Sequence, residues 1–219
     1  MVHSEQSRQS AAEEAEMQVE GLPEPGGAAI DHSGRSFLFV LASSRKDGNT
    51  ETLARLAARH LPPDIPQRWL ALSDYPLPAF ADVRHRGEEF PPPGVNERAL
   101  LEATLSATDL VIASPLYWYT VSASAKLYLD YWSAWLRLRD VDFKGRMTGK
   151  TIWSVSALAE EDSSVADPLI HTLRLTARYL DAHWGGSLLG NGSWPGDVLK
   201  DGEALARARA FFAPVAAVV

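Results

Sequence analysis

Residues 37–61 read FLFVLASSRKDGNTETLARLAARHL, and they are the clearest indication of how the chain folds. The first six of these residues, 37–42, form a continuous apolar run without alternation, which is typical of a strand buried on both faces. After a polar loop, apolar residues recur from Leu53 to Leu61 at the spacing of one helix face, and Asn49 is a favourable capping residue for such a helix. The stretch therefore predicts a strand, a loop and a helix in succession.

The rest of the chain repeats this alternation. Further strands are predicted at 68–72, 110–114, 150–157 and 182–189, and further helices at about 96–107, 121–136, 167–180 and 201–213. Connections between neighbouring parallel strands are right-handed, so the connecting helices cover both faces of the sheet. The pattern predicts an α/β fold in which a five-stranded parallel sheet lies between two helical layers.

Residues 1–35 have a different composition. They contain seven of the chain's 28 acidic residues but only two of its 21 lysines and arginines, and they have few large apolar residues. A segment of this kind cannot bury enough apolar surface to fold by itself. We expect residues 1–35 to form a disordered acidic tail and residues 36–219 to form one domain.

Composition also argues against several classes of protein. The part of the chain after residue 35 is nearly neutral and has no basic tract, whereas nucleic-acid binders carry a basic patch. The chain has no cysteine, which excludes disulfides, thiolate metal sites and cysteine nucleophiles, so any redox chemistry belongs to a bound cofactor. Its six histidines lack metal-site spacing, and neither a membrane-length apolar run nor a signal-peptide pattern is present. We expect a cytoplasmic protein that binds no metal, nucleic acid or membrane.

The loop after the first strand, Ser43–Thr50, combines hydroxyls, an arginine and a glycine directly before a helix. Backbone N–H groups at a helix N-terminus point outward and favour an anion, and hydroxyl and guanidinium groups complete the coordination of a phosphate. The loop matches neither GxxxxGK[ST] nor GxGxxG, so it is not typical of nucleotide hydrolases or dinucleotide-binding folds. It predicts a phosphate site, and the alternative is an ordinary polar loop with a helix cap.

Aromatic residues are concentrated after the third predicted strand. Seven of the chain's 20 aromatic residues lie between Tyr117 and Trp135. The carboxyl end of a strand next to a phosphate loop is where open α/β sheets bind ligands, and aromatic side chains suit a flat ring system. Within the helix predicted at 121–136, a stripe of aromatic residues spaced four and three apart is expected to lie in the core or in a subunit interface; it consists of Tyr128, Trp132 and Trp135. We expect a homodimer or homotetramer that uses this helix.

Two stretches resemble the motifs of a known family. Residues 40–53, VLASSRKDGNTETL, are similar to the motif G-S-x-R-x-x-G-N-T that follows the first strand in NAD(P)H-dependent FMN reductases of the flavodoxin-like superfamily. Residues 114–130, SPLYWYTVSASAKLYLD, are similar to that family's second motif, S-P-x-Y-W/N followed by A-x-L-K-x-x-x-D-R. The resemblance implies a flavodoxin-like three-layer sandwich in which residues 36–219 form the FMN-binding domain.

The resemblance also implies a role for residues at three loops. The FMN phosphate would be bound after the first strand, the flavin ring would lie against the turn after the third, and the pyrimidine edge of the ring would be lined after the fourth. The residues implied are, in that order, Ser43, Arg45, Gly48, Asn49 and Thr50; Pro115, Leu116, Tyr117 and Trp118; and Ser156 and Ala157.

By the same resemblance, the expected activity is that of a flavoprotein oxidoreductase. It would transfer hydride from NAD(P)H to bound FMN and then pass electrons to a quinone, a flavin or another small acceptor. No catalytic side chain is expected, because the reactive chemistry belongs to the cofactor. The alternative is a flavodoxin-like electron carrier or redox-regulatory FMN-binding module that does not oxidise NAD(P)H directly.

Overall fold

The computed structural model describes residues 34–84 and 90–212, and within these ranges five strands alternate with six helices. The strands are β1 (Phe37–Leu41), β2 (Gln67–Ala71), β3 (Asp109–Ala113), β4 (Thr151–Leu158) and β5 (His183–Asn191). The helices are α1 (Asn49–Ala58), α2 (Val95–Ser106), α3 (Ala123–Trp135), α4 (Phe143–Met147), α5 (Asp167–Tyr179) and α6 (Gly202–Ala208). Most of the expected tail, residues 1–33, lies outside the described residues.

The five strands form one parallel sheet in the order β2-β1-β3-β4-β5. The strand bounds agree with the predicted ones to within two residues. Because β1 and β3 are neighbours in the middle of the sheet, the loops that follow them meet at its carboxyl edge. The fold class predicted from the sequence is confirmed.

Two hydrophobic clusters, one on each face of the sheet, complete the three layers. Helices α2, α3 and α5 pack on the face that carries Leu38 and Val40 of β1. Helices α1 and α6 pack on the opposite face, which carries Phe37, Phe39 and Leu41. All five residues of β1 are buried, which explains why its sequence is apolar without alternation.

Two helix ends differ from the prediction. Asn49 was predicted as the cap of the first helix, but α1 begins at Asn49 and its N-cap is Gly48, which has no side chain to accept a hydrogen bond. The last helix was predicted at about 201–213, but α6 ends at Ala208 and Ala213 lies outside the described residues. A helix end depends on the partners of its terminal N–H and C=O groups, which periodicity does not reveal.

The aromatic stripe of α3 lies in the core. Tyr128, Trp132 and Trp135 are 1%, 4% and 0% exposed, so the expectation that they form a subunit interface is wrong. The short helix α4 covers them, with the Phe143 ring centroid 5.6 Å from that of Trp132 and 5.5 Å from that of Trp135. The stripe therefore serves the packing of a single chain.

Candidate functional site

A cavity of about 160 Å³ lies at the carboxyl ends of β1, β3, β4 and β5, beside the first turn of α1. Nine of the eleven residues implied by the resemblance line it: Ser43, Arg45, Gly48, Asn49, Thr50, Pro115, Leu116, Tyr117 and Ala157. Residues that the sequence analysis did not name complete the lining: Leu158, Ala159, Gly192 and Ser193.

One end of the cavity is built for an anion. The N-cap of α1, Gly48, has no side chain that could accept a hydrogen bond, so the first N–H groups of the helix have no partner from the N-cap side chain or from within the helix. The Ser43 hydroxyl accepts a hydrogen bond from the backbone N–H of Arg45 at 3.0 Å, which folds the loop over this helix end. Free N–H groups, the positive end of the helix dipole and an arginine at one place suit a phosphate.

The Asn49 side chain holds a different loop instead of pointing freely into the cavity. Its Nδ2 donates to the Trp194 carbonyl at 2.9 Å, and its Oδ1 accepts from the Gly196 N–H at 2.9 Å. Asn49 is 8% exposed, and its carboxamide keeps one N–H donor after these contacts. The carboxamide therefore positions the loop after β5, and the phosphate contact implied by the resemblance stays a prediction.

The loop after β5 is held from its other side by Asp197. The Asp197 carboxylate accepts a hydrogen bond from the Trp194 N–H at 2.7 Å and one from Lys200 at 3.0 Å. These contacts hold the pKa of Asp197 below its usual value, the Lys200 hydrogen bond being the larger cause. A Cβ atom on Gly192 would lie 2.7 Å from Asn49 Nδ2, so this cavity wall needs glycine.

Thr50 joins α1 to the end of β4. Its hydroxyl oxygen accepts a hydrogen bond from the Ala157 N–H at 3.2 Å, and its side chain is buried. Ala157 therefore lies in the cavity lining, next to the helix end. Ser156, its neighbour in the strand, points to the opposite face because side chains alternate along a strand. Its hydroxyl is buried and has no hydrogen-bond partner among residues 34–84 and 90–212. Ser156 does not line this cavity.

A tight turn after β3 presents exposed aromatic side chains. Tyr117 and Thr120 exchange two backbone hydrogen bonds, of 3.0 and 3.2 Å. The two residues between them, Trp118 and Tyr119, have φ angles of 49° and 64°, the left-handed conformation that costs a bulky residue about 1–2 kcal/mol. The turn leaves Trp118 92% exposed beside the cavity, not within its lining. Strain that holds an exposed indole indicates a functional turn.

Serine hydroxyls tie this turn to the end of β1. Ser122 Oγ and Ser124 Oγ donate to the Ala42 carbonyl at 2.6 and 2.9 Å, and the Ser122 N–H donates to Ser114 Oγ at 2.8 Å. The phosphate loop and the aromatic turn therefore have a fixed relative position.

Residues 34–84 and 90–212 contain no group of three or more metal-ligating side chains that could hold a metal ion. In the same ranges, no helix has the length and apolar composition needed to cross a membrane.

Comparison with known proteins identifies the family. The family model described as NADPH-dependent FMN reductase matches residues 36–185. The chain belongs to the NADPH-dependent FMN reductase family. This family member is 31% identical over 170 residues to YwqN of Bacillus subtilis, whose name describes an NAD(P)H-dependent FMN-containing oxidoreductase. The match covers 77% of this chain and 92% of YwqN.

Solved structures agree on the fold of this FMN reductase family member. The Trp repressor binding protein from Bacillus subtilis superposes with a TM-score of 0.65 and 26% identity, covering 81% of this chain and 97% of the other. An FMN-dependent NADH-azoreductase from Bacillus anthracis, solved in complex with FMN, superposes with a TM-score of 0.53 at 15% identity, covering 80% and 96%. At that identity the second likeness supports the fold alone.

Proposed function

We propose that the chain binds FMN at this cavity, transfers hydride to it from NAD(P)H and passes the electrons to a quinone, a free flavin or another small acceptor. Its family membership supports this activity. The observation that carries the placement is the uncapped N-terminus of α1, which meets Ser43 and Arg45 in one cavity. The residues there fit the phosphate end of FMN.

The size of the cavity indicates which part of FMN it encloses. Pockets that bury most of a drug-sized ligand have volumes of about 300–1,000 Å³. A cavity of about 160 Å³ is too small to enclose the whole of FMN. The cavity therefore suits the phosphate end, and the flavin ring would extend toward the aromatic turn at Tyr117.

The side chains around the cavity contribute binding and orientation. Bound FMN supplies the ring that accepts hydride, so the protein needs no nucleophile. Ser43, Arg45 and the first turn of α1 would hold the phosphate, and Leu116 and Tyr117 offer an apolar surface. The described lining contains no histidine or carboxylate, so it has no side chain that exchanges protons readily near neutral pH.

Reduction of the bound flavin by nicotinamide cofactor alone is the direct test of this function. Addition of NADPH or NADH under anaerobic conditions is expected to abolish the visible absorbance of the flavin at a rate that rises with cofactor concentration. A yellow protein that keeps its absorbance with both cofactors would instead be an electron carrier or redox-regulatory module. A protein that takes up no FMN would contradict both functions.

The Arg45→Ala variant is expected to weaken FMN binding about tenfold and to leave riboflavin binding unchanged. A charge-assisted hydrogen bond to phosphate is worth about 1.5–3 kcal/mol, and the exposure of Arg45 favours the lower value. Both dissociation constants can be measured by quenching of flavin fluorescence. Lys46→Ala is the matched control, since Lys46 carries the same charge next to Arg45 but does not line the cavity. Equal losses for FMN and riboflavin would contradict a phosphate contact.

We also propose that the protein is cytoplasmic, because NAD(P)H is available in the cytoplasm.

We further propose that the protein forms a homodimer or homotetramer. Three aromatic side chains on the two loops beside the cavity are exposed: Trp118 by 92%, Trp194 by 77% and Tyr119 by 51%. Exposed aromatic side chains of this kind are often covered in an assembly. They replace the buried stripe of α3 as the proposed contact surface.

A further inference from the structure

A second cavity, of about 840 Å³, lies away from the proposed flavin site. Its described lining comes from one face of α2, the segment between α3 and α4, Arg146 of α4, Arg84 and residues within 90–93. None of its lining residues within 34–84 and 90–212 lines the flavin cavity. Leu105, at one end of it, comes four residues before β3 begins, whereas the flavin cavity lies beyond the carboxyl end of that strand. We call it the arginine cavity.

The lining of the arginine cavity is cationic around an apolar floor. Among the described residues that line it are five arginines and two acidic residues, Glu102 and Asp140. Arg84 is already paired with Asp82, at 2.5 Å. Arg137 and Arg146 make no ion pair within residues 34–84 and 90–212, although the chain carries a net charge of −7.

The floor of the arginine cavity is one stripe of α2. Arg98, Leu101 and Leu105 lie on the same helix face, since they are three and four residues apart. Leu105 lies seven residues after Arg98, which corresponds to about 10 Å along the helix axis. Leu101 and Leu105 are buried, whereas Arg98 is exposed at one end of the stripe. Within residues 34–84 and 90–212, the Arg98 guanidinium makes one hydrogen bond, to the Pro93 carbonyl at 3.5 Å.

Arg146 lies toward the other end of this stripe. Lys150 Nζ donates to the Leu105 carbonyl at 3.0 Å and so marks the Leu105 end of α2. The Lys150 N–H also donates to the carbonyl of Met147, the residue after Arg146, at 3.2 Å, and Arg146 lines the cavity together with Leu105. Arg146 is therefore near the Leu105 end, and its positive charge contributes, after burial, to lowering the pKa of Lys150. The apolar stripe lies between Arg98 and Arg146.

We propose that the arginine cavity binds a small organic anion that has an apolar body and a negative group at each end. The apolar body would lie on Leu101 and Leu105, and the negative groups would pair with Arg98 at one end and with Arg137 or Arg146 at the other. Guanidinium groups bind carboxylates, sulfonates and phosphates through charge-assisted hydrogen bonds, which are stronger than neutral ones. The volume lies within the range of small-molecule pockets.

The test uses the FMN-loaded full chain and 2,6-naphthalenedisulfonate, a rigid aromatic dianion, in isothermal titration calorimetry. One ligand is expected to bind per chain, with a dissociation constant of about 100 µM or lower at low salt and weaker binding at high salt. The monoanion 2-naphthalenesulfonate is expected to bind at least about tenfold more weakly, because it leaves one end of the cavity without a charge pair.

The double variant Arg98→Ala/Arg146→Ala is expected to raise the dissociation constant of the dianion at least about tenfold. Arg68→Ala/Arg174→Ala is the matched control. Both arginines are exposed and neither lines the cavity, so their replacement removes the same charge without changing the site. Both double variants should retain the FMN affinity of the parent protein. Dissociation constants within about twofold of each other for the two variants, or no binding of the dianion at about 1 mM, would overturn the proposal.

The acidic N-terminal segment of the same chain is the competing occupant. Its carboxylates could pair with the same arginines, since residues 1–35 contain seven acidic residues. The full-chain variant Glu13→Gln/Glu14→Gln/Glu16→Gln distinguishes the acidic segment from a small organic anion as the occupant of the cavity. Equal binding of the dianion by this variant and the parent supports a small-molecule site. Binding by the variant alone would assign the cavity to the acidic segment and overturn the proposal.

Discussion

Replacing Trp132 with glutamate is expected to lower the free energy of unfolding by about 4 kcal/mol or more. The indole is 4% exposed, and its ring centroid lies 5.4 Å from that of Tyr128 and 5.6 Å from that of Phe143. Truncation of a buried tryptophan costs about 3–5 kcal/mol, and a carboxylate in its place loses its hydration as well. Urea denaturation, followed by circular dichroism, measures this loss.

The same charge on an exposed position of α3 is the control. Ala123 lies in the first turn of the helix and is exposed, so Ala123→Glu is expected to change the free energy of unfolding by less than about 0.5 kcal/mol. Sedimentation of both variants completes the experiment. A Trp132→Glu protein that keeps its stability but sediments as a smaller species than the parent would show that this side chain forms a subunit interface after all.

The architecture was predictable because it depends on patterns that are local in the sequence. The apolar run at 37–42 and the helix that follows it determine a buried central strand and one face of its covering layer. When this strand–helix unit is repeated, the simplest arrangement is a parallel sheet with helices packed on both faces. The loops after β1 and β3 then meet at one edge, so the sequence pattern predicts an anion site beside an aromatic turn, whereas the individual site residues were implied by the family resemblance.

The role of individual side chains was less predictable, because it depends on partners far away in the sequence. The spacing of Tyr128, Trp132 and Trp135 is the same for a core stripe as for an interface stripe, and only the position of α4 distinguishes them. Ser156 is a different case, since alternation along β4 already implies that it and Ala157 face opposite sides. The alternation therefore predicts that only one of these two neighbours lines the cavity.

Asn49 shows the same dependence on distant partners. The motif places it beside the phosphate loop, and a phosphate contact follows if only the motif is considered. The carboxamide instead bonds to Trp194 and Gly196, which are more than 140 residues away in the chain. Nothing in the local sequence specifies such contacts, although the glycines at 192 and 196 indicate a tight turn.

The Asn49→Ala variant is expected to weaken the binding of FMN and of riboflavin by the same factor, at least about tenfold, and to lower the free energy of unfolding by about 1–3 kcal/mol. The variant removes the hydrogen bonds to the Trp194 carbonyl and from the Gly196 N–H, and each hydrogen bond at such a partly buried position is worth about 0.5–1.5 kcal/mol. The loop that carries Gly192 then loses its attachment to α1, so the cavity wall that it forms is held less firmly.

The pattern of the two flavin affinities distinguishes this role from a phosphate contact. If Asn49 bound phosphate directly, the variant would lose affinity for FMN and keep its affinity for riboflavin, as is expected for Arg45→Ala. Thr104→Ala controls for a general loss of stability, because Thr104 is fully buried and bonds to Tyr128 on the other side of the sheet. That variant should be destabilised with both flavin affinities unchanged. Equal losses of both flavins in the Asn49 variant alone would therefore establish that Asn49 shapes the site by holding the loop after β5.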